Sequence, residues 1–386
     1  MTLNIIYIQS KGRYDLVDQW GNELADAFEI LGHHVIRITT ENIKDFVNIY
    51  TQSKPHFSFT VNVSEITIGD KFFFDAFRVP HYSYCIDHII HQYYRWNVKS
   101  AYLYFGLLCE TFVDYAVNEI GLQKDHIHLT SIGLNPSNFT PDVSKEIDIM
   151  LGCTFSNVAS SIKRWEQLPK DVCDVLKLAK RYIEESQFQL DSITALRKSC
   201  NKLGIRLIHT KQVNLEAGLF PLLDSWMRNQ RKLLGLKAFS EFEVHCYGDI
   251  PDSEIMSKAP KWKFLGPVST QKFNSLLGKS RFTLHFHQIM HRGAHDRPIR
   301  GMFAKSVPVC DSSSLYEIIG MQNSAILYKY AKLPFAIQQF KGLLNDEEKR
   351  KTMAEQGRKI ALDNFTWRHR AEEIINFMMT HITERM

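Results

Sequence analysis

The sequence predicts two doubly wound α/β domains, the second carrying a helical insertion, and three observations support this. The 386 residues exceed what one ordinary core organises and suit two domains of about 100–200 residues each. Short apolar, β-branched runs alternate with stretches of helical period along most of the chain. One polar segment with two prolines, Leu134–Glu146, interrupts that alternation and reads as a linker.

Taken in order, Leu3–Gln9 is a continuous apolar run, as a strand buried on both faces should be. Asp18–Leu31 sets Trp20, Leu24, Ala27, Phe28 and Leu31 at helical spacing, and Gly32 stops it. His33–Thr39 returns as a strand. Strand, helix and strand in so short a stretch form a βαβ unit, hence a parallel sheet with a right-handed crossover. His56–Asn62, Pro80–Ile86, Ser100–Gly106 and His126–Ile132 read as further strands, with a helix over Glu110–Ile120.

Beyond the linker the alternation restarts with a strand at Ile147–Cys153. Residues 156–235 are almost wholly helix-forming, with breaks expected near Gly204–His209 and at Gly218. Glu241–Asp249, Lys261–Val268, Ser280–His287 and Ser306–Asp311 read as strands. Asp346–Met386 reads as helix broken at Asn364–Thr366. The expected domains are residues 1–140, residues 141–363 including the insertion 156–235, and a closing helix over 364–386.

Composition narrows the class. At 44% hydrophobic and 23% charged residues the chain is globular. A net charge of +5 suits contact with phosphates or an anionic membrane surface but lacks the dense Lys/Arg stripe of a nucleic-acid binder, so no nucleic-acid partner is expected. Cys85, Cys109, Cys153, Cys173, Cys200, Cys246 and Cys310 form no CxxC pair and read as reduced thiols, which places the protein in the cytoplasm. The opening MTLNIIYIQSKGRYD has no basic leader and reads as a first strand, not a signal peptide. No apolar run reaches the roughly 18–20 residues of a spanning helix. The insertion is rich in cations, among them Lys163, Arg164, Lys177, Arg181, Arg228, Arg231 and Lys232. Solvated helix faces are the default for such residues; the alternative is peripheral contact with the inner face of a membrane.

Several segments of the second half occur in a telling order: SIGLNPSNFTP into EIDIMLGC, then FEVHCYGD, KWKFLGPVSTQKFNSLLGKSRFTLH, HDRPIRGMFAKSVPVCD and NFTWRHRAEEIINFM. Together they resemble the C-terminal domain of GT-B glycosyltransferases, particularly the bacterial group related to spore-maturation glycosyltransferases. HDRPIRGMFAKSVPVCD is similar to that group's "H-E-R-x-x-D/E-A-M-A-x-G-x-V-P-V". The resemblance covers about 240 residues. It implies two Rossmann-like domains facing a central cleft, a nucleotide-sugar donor held by the second domain, and a glycan, lipid-linked or protein acceptor met by the first. Neither a cofactor nor a metal is implied.

The residues themselves point the same way. Gly152, Gly248 and Gly266 stand at successive strand ends, where backbone can approach a ligand and helix N-termini attract phosphate. The densest polar segment, His285–Arg300 (HFHQIMHRGAHDRPIR), lies between a strand and an apolar stretch. Glycosyl transfer needs charge developing on the leaving diphosphate to be stabilised, and without a metal that falls to Arg, Lys, His and helix-end amides. His295 and Arg297 match the family's "H-x-R", and Arg297 suits bidentate phosphate contact. Asp296 is either catalytic or a helix cap. Arg292 and Arg300 stand where related retaining enzymes have two glutamates eight positions apart, which signals either an altered donor or stereochemical outcome, or lost activity. Arg300 is counted with the phosphate-binding set.

His287, His291 and His295 recur every four residues, but no HExxH arrangement accompanies them, so no metal is expected. In the first half, Ser10–Asp15 follows the first strand, and Asp87, His88, His91 and Arg95 follow another. An inverting transferase needs a base for the acceptor hydroxyl, and Asp87 or His88 is the candidate. Tyr93, Tyr94 and Trp96 could stack on sugars or pack a core. Two rival functions share the fold: a non-catalytic nucleotide or glycan binder, and a sugar-nucleotide epimerase.

Overall fold

A computed structural model describes residues 1–9, 16–39, 43–62, 66–68, 71–92, 100–206, 215–286 and 290–383. The chain divides into two units. One comprises Met1–Ser137, Arg292–Ala294 and Ala361–Met386; the other comprises Asn138–His291 and His295–Ile360.

The first unit runs β1 (Asn4–Gln9), α1 (Leu16–Ile30), β2 (His34–Thr39), α2 (Ile43–Ser53) and β3 (Phe57–Val61). A short antiparallel pair follows, β4 (Thr67–Ile68) and β5 (Lys71–Phe72), then α3 (Phe73–Phe77) and β6 (His81–Cys85). β7 (Leu103–Leu107), α4 (Glu110–Tyr115) and β8 (Ile127–Leu129) complete the series. Six strands pair in parallel in the order β2-β1-β3-β6-β7-β8. β1, β3, β6 and β7 bury nearly every residue, which is why they read as continuous apolar runs. Tyr7 stacks on Phe59 at 4.8 Å between ring centroids, and Phe28 of α1 meets Phe57 and Phe59 edge-on. The closing helix, Trp367–Thr383, belongs to this unit, where Trp367 packs edge-on against Trp20.

The second unit begins with β9 (Ile147–Gly152) and the insertion, four helices: α5 (Val158–Trp165), α6 (Lys170–Glu185), α7 (Ser192–Leu203) and α8 (Leu215–Ala238). β10 (Val244–Tyr247), α9 (Ser253–Ser257), β11 (Trp262–Phe264), α10 (Thr270–Gly278) and β12 (Ser280–His285) follow. The remainder is α11 (Asp296–Phe303), β13 (Val307–Asp311), α12 (Ser314–Ile318), β14 (Ile326–Tyr328), α13 (Leu333–Leu344) and α14 (Glu347–Asn364). The six strands are parallel in the order β11-β10-β9-β12-β13-β14. The strand order reverses direction between β9 and β12, and in such sheets ligands bind outside the carboxyl ends at that point.

Within the insertion the breaks differ from expectation. Gly218 does not interrupt α8, and neither does Pro221, because burial of Leu219, Phe220, Leu223, Trp226 and Met227 holds the segment helical. Breaks occur instead before Lys170, where Pro169 stands at the N-cap, and at Gln187 and Phe188, both in left-handed conformation. Gly204 ends α7 with φ of 66°, as expected of a C-terminal glycine. At the back of the second unit, the Lys145 ammonium donates to the carbonyls of Gly278 (2.7 Å) and Ala304 (3.0 Å), at the C-termini of α10 and α11. Burial pushes its pKa down to about 8. This lysine pins the two helices that flank β12.

Candidate active site

The three glycines named from the sequence end three neighbouring strands, β9, β10 and β11. Each has its own structural reason. A Cβ on Gly152 would lie 2.6 Å from the Phe273 ring. Gly248 has φ of 153°, and a Cβ there would sit 2.1 Å from the Cys153 carbonyl oxygen, so the chain after β10 passes hard against the chain after β9. Gly266 has φ of 77° and accepts from the Gly248 amide at 3.1 Å. At Gly248 the close approach that demands glycine is chain to chain.

The N-terminus of α11 lies beyond the end of β12. His295 is its N-cap in extended conformation, and its backbone N–H donates to the Tyr316 hydroxyl at 3.1 Å. The His295 Nδ1 lies 2.8 Å from Asp296 Oδ1 and 3.4 Å from the Arg297 amide. The shorter contact decides the tautomer: a proton on Nδ1 donates to the carboxylate, and the amide contact is secondary. The His285 ring packs against His295 with centroids 4.3 Å apart. Asp296 also receives Arg300 Nε at 2.8 Å on its other oxygen. Burial favours the neutral acid, but His295, Arg300 and Arg297 together hold its carboxyl well below the usual range, so it is ionised. Burial pushes the His295 imidazole pKa down, against the pull of Asp296.

Arg300 departs from its expected role. It is 3% exposed, and its guanidinium binds Asp296 and, through Nη1 at 2.8 Å, Asn274 Oδ1. The cation at this position is therefore engaged inside the fold, neither pointing to solvent nor presented as a phosphate ligand. Asp296, four residues earlier on the same helix face, neutralises it.

Sequence reasoning missed helix α8. Its Lys232 ammonium donates to the Thr154 carbonyl at 2.7 Å, just past β9. Burial pushes the Lys232 pKa down; Cys153 opposes that, and Arg297 and Arg228 add to it. Arg228, one turn earlier, pairs with buried Asp224 at 2.6 Å, and its field also reaches His295. Arg231 is 1% exposed. It lies 3.7 Å from Asp311 at the end of β13, donates to the Phe188 carbonyl and packs on the Tyr330 ring at 5.1 Å. Burial pushes the Asp311 carboxyl up to about 7, with Arg231 opposing. Arg231 and Lys232 are thus turned toward strand ends, and Arg228 pairs within its own helix, in place of the solvated face expected of them. The i, i+4 pairing of Asp224 with Arg228 was the one local signal available.

A family profile described as "Glycosyl transferase-like" matches residues 228–376, from the middle of α8 through the whole α11 loop and into the closing helix. Both units match solved glycosyltransferase folds end to end. A glycosyltransferase from Rickettsia africae superposes with a TM-score of 0.58 at 13% identity, covering all of both chains. A sucrose-phosphate synthase from Thermosynechococcus elongatus gives 0.57 at 10% identity over 99% of this chain and 100% of that one. An Anabaena protein, HepE, solved in complex with UDP and glucose, gives 0.55 at 10% identity over 98% and 99%. No curated protein matches by sequence. Over residues 228–376 the chain is similar to glycosyl transferases, and along its length it shares the GT-B fold of these structures.

In the first unit, Asp87 is exposed just after β6. His88 is 7% exposed, packed against the rings of Phe112 (4.4 Å) and Tyr115 (5.2 Å), with Nδ1 accepting from the Ile90 amide at 3.1 Å. Expected as a surface residue or a base, His88 is instead a buried turn-former, and Asp87 is the candidate that remains. Arg292 counts with this unit and pairs with Glu110 at 3.2 Å and with Asp114. Gly293 bridges to Cys109, where a Cβ would meet the Leu108 carbonyl at 2.4 Å. Ser10–Asp15, Tyr93, Tyr94, Arg95, Trp96 and His287 lie outside the described residues. No helix of the described residues is long and apolar enough to cross a membrane.

Proposed function

We propose that the protein transfers a sugar from a nucleotide-sugar donor to a glycan, lipid-linked or protein acceptor without a metal. The observation that carries this is the N-terminus of α11 at the order-reversal point of the second sheet, where His295, ionised Asp296 and Arg297 stand together. In the reaction the anomeric carbon–oxygen bond to the diphosphate breaks, and the nucleoside diphosphate leaves with the electron pair. The acceptor oxygen forms the new bond and loses its proton to a base, for which Asp87 is the candidate. Arg297 and the helix-end amides stabilise the departing diphosphate. Asp296 fixes the His295 ring through Nδ1. The likeness to a protein solved with UDP and glucose makes a uridine nucleotide the first donor to try. Acquisition by the cytoplasmic face of a membrane is compatible with the exposed cations Lys163, Arg164 and Lys198 on the insertion.

The test is thermal stabilisation by a panel of nucleoside mono- and diphosphates and nucleotide sugars. A ligand at a hundredfold excess over its dissociation constant adds about 2.7 kcal/mol of stability. A shift with one nucleotide, lost in Arg297→Ala and weakened in His295→Ala, is the expected result. No shift with any nucleotide refutes the donor site. Release of nucleoside diphosphate that depends on added acceptor identifies transfer and excludes simple binding.

A further inference from the structure

The polar segment from His285 to His295 carries the two histidines that pack together at the N-terminus of α11, and it leaves the sheet at a defined point. The ladder of β12 with β13 ends at the pair His285–Cys310, and the ladder with β9 ends at Leu284–Leu151. Backbone past a ladder needs other partners, and here tyrosine hydroxyls supply them. Tyr328, on β14, reaches across the end of β13 and donates its hydroxyl to the His285 carbonyl at 2.9 Å. Tyr330, two residues on, donates to the Phe286 carbonyl. At the far end of the segment the Tyr316 hydroxyl of α12 accepts from the His295 amide at 3.1 Å, and the Ser314 amide donates to the His291 carbonyl at 3.0 Å.

All three phenols are buried. A phenylalanine would fill the same core with no polar group to desolvate, so the hydroxyl is what tyrosine adds at each place. The rings are themselves fixed. Tyr328 and Tyr330 meet edge-on at 5.7 Å, and buried Arg231 packs on Tyr330 at 5.1 Å. From these rings to the site is one step: Tyr328 binds the His285 carbonyl, and the His285 ring packs on His295, the N-cap of α11, at 4.3 Å.

Resting on the donor-site reading above, we propose that Tyr316, Tyr328 and Tyr330 are positioning residues of that site. Their hydroxyls hold both ends of the His285–His295 segment and so set His295 and Arg297 in the geometry that binds the donor nucleotide. They act through the segment and not on the donor itself. Binding groups carried by a loop are loose unless a supporting set of bonds locks them, and a displacement of about 1 Å is enough to weaken a site.

The test separates hydroxyl from ring. UDP, GDP, ADP, CDP and dTDP are titrated into the full-length wild type by calorimetry. The one that binds tightest is then titrated into Tyr316→Phe, Tyr328→Phe, Tyr330→Phe and the double variant Tyr328→Phe/Tyr330→Phe, at a temperature where each is folded. Every variant keeps its rings, so a role in packing alone predicts wild-type affinity. Loss of one buried hydrogen bond from the clamp is expected to weaken binding about 3- to 10-fold in each single variant. The double variant should lose more. Tyr84→Phe is the matched control: its hydroxyl donates to the Ser131 carbonyl at 2.5 Å in the first unit, so its removal lowers the melting temperature and leaves nucleotide affinity unchanged. Should the double variant fail to fold, amide hydrogen exchange on the single variants reads the same clamp. Residues 290–297 should then exchange faster while β9 and β10 keep wild-type protection. Lowered melting temperatures with wild-type affinity in both Tyr328→Phe and Tyr330→Phe overturn the inference and leave the donor site standing. A wild type that binds none of the nucleotides overturns both.

Discussion

Replacing Asp296 by alanine tests whether the cation at position 300 is structural. Arg300 is 3% exposed, with Nε held by Asp296 at 2.8 Å and Nη1 by Asn274 at 2.8 Å. Removing the carboxylate takes the counter-ion from a buried guanidinium, and breaking a buried pair in this way costs about 3–5 kcal/mol. Arg300→Met is milder. Asp296 keeps His295 at 2.8 Å, and its side chain is 15% exposed, so the loss is about 1–3 kcal/mol. The double variant Asp296→Ala/Arg300→Met removes the orphaned charge and should be more stable than Asp296→Ala alone. Urea denaturation of the four proteins measures the coupling. Its pH dependence carries a sign as well. The folded carboxyl lies well below 3.8, so its contribution is complete at neutral pH and is lost as pH falls through the folded value. A cost below about 1 kcal/mol for Asp296→Ala, or a double variant less stable than Asp296→Ala, refutes the argument.

At Asp311 the sign is opposite. Its folded pKa is raised to about 7 from 3.8, so the stability it contributes is fully present at low pH and lost as pH rises from about 4 to 7. Asp311→Asn should flatten that slope, which is at most about 1.4 kcal/mol per pH unit, as read by denaturant titration at several pH values. Gly248→Ala must move the chain after β9, because its Cβ would stand 2.1 Å from the Cys153 oxygen, and it should cost at least about 2 kcal/mol in the same assay. Lys145→Met removes the shared cap of α10 and α11 and should cost about 1–3 kcal/mol, with nucleotide affinity falling if α11 shifts. Asp87→Asn should abolish turnover while leaving nucleotide-induced stabilisation intact; full turnover removes it as the base.

Much of the fold was legible because its sheets are parallel and buried on both faces. β1, β3 and β13 bury every or nearly every residue, so each shows as an unbroken apolar run bounded by polar turns. β14 escaped notice because three residues, Ile326–Tyr328, carry too little pattern to separate a strand from a loop. The insertion reads as helical, and of its breaks the sequence shows the one at Gly204 but not those before Lys170 and at Gln187–Phe188. Gln187 and Phe188 turn the chain with positive φ and no glycine, whereas Gly218, the obvious breaker, lies inside α8. Tertiary burial overrode the local signal in both directions.

The site divides along the same physical line. His295, Asp296 and Arg297 lie within one short loop whose order could be compared with a family, and they stand together at the N-terminus of α11. Lys232 comes from 65 residues earlier and Arg231 meets an aspartate 80 residues later, so no local period links them. On a helix, cations spaced by three and four look alike whether they face solvent or a strand end, and α8 was grouped with the solvated helices for that reason. Burial is what distinguishes them. Exposed lysines such as Lys163 need no partner beyond water. Lys232, by contrast, donates to the Thr154 carbonyl and is held by the fold, as Lys145 is by its two helix-end carbonyls.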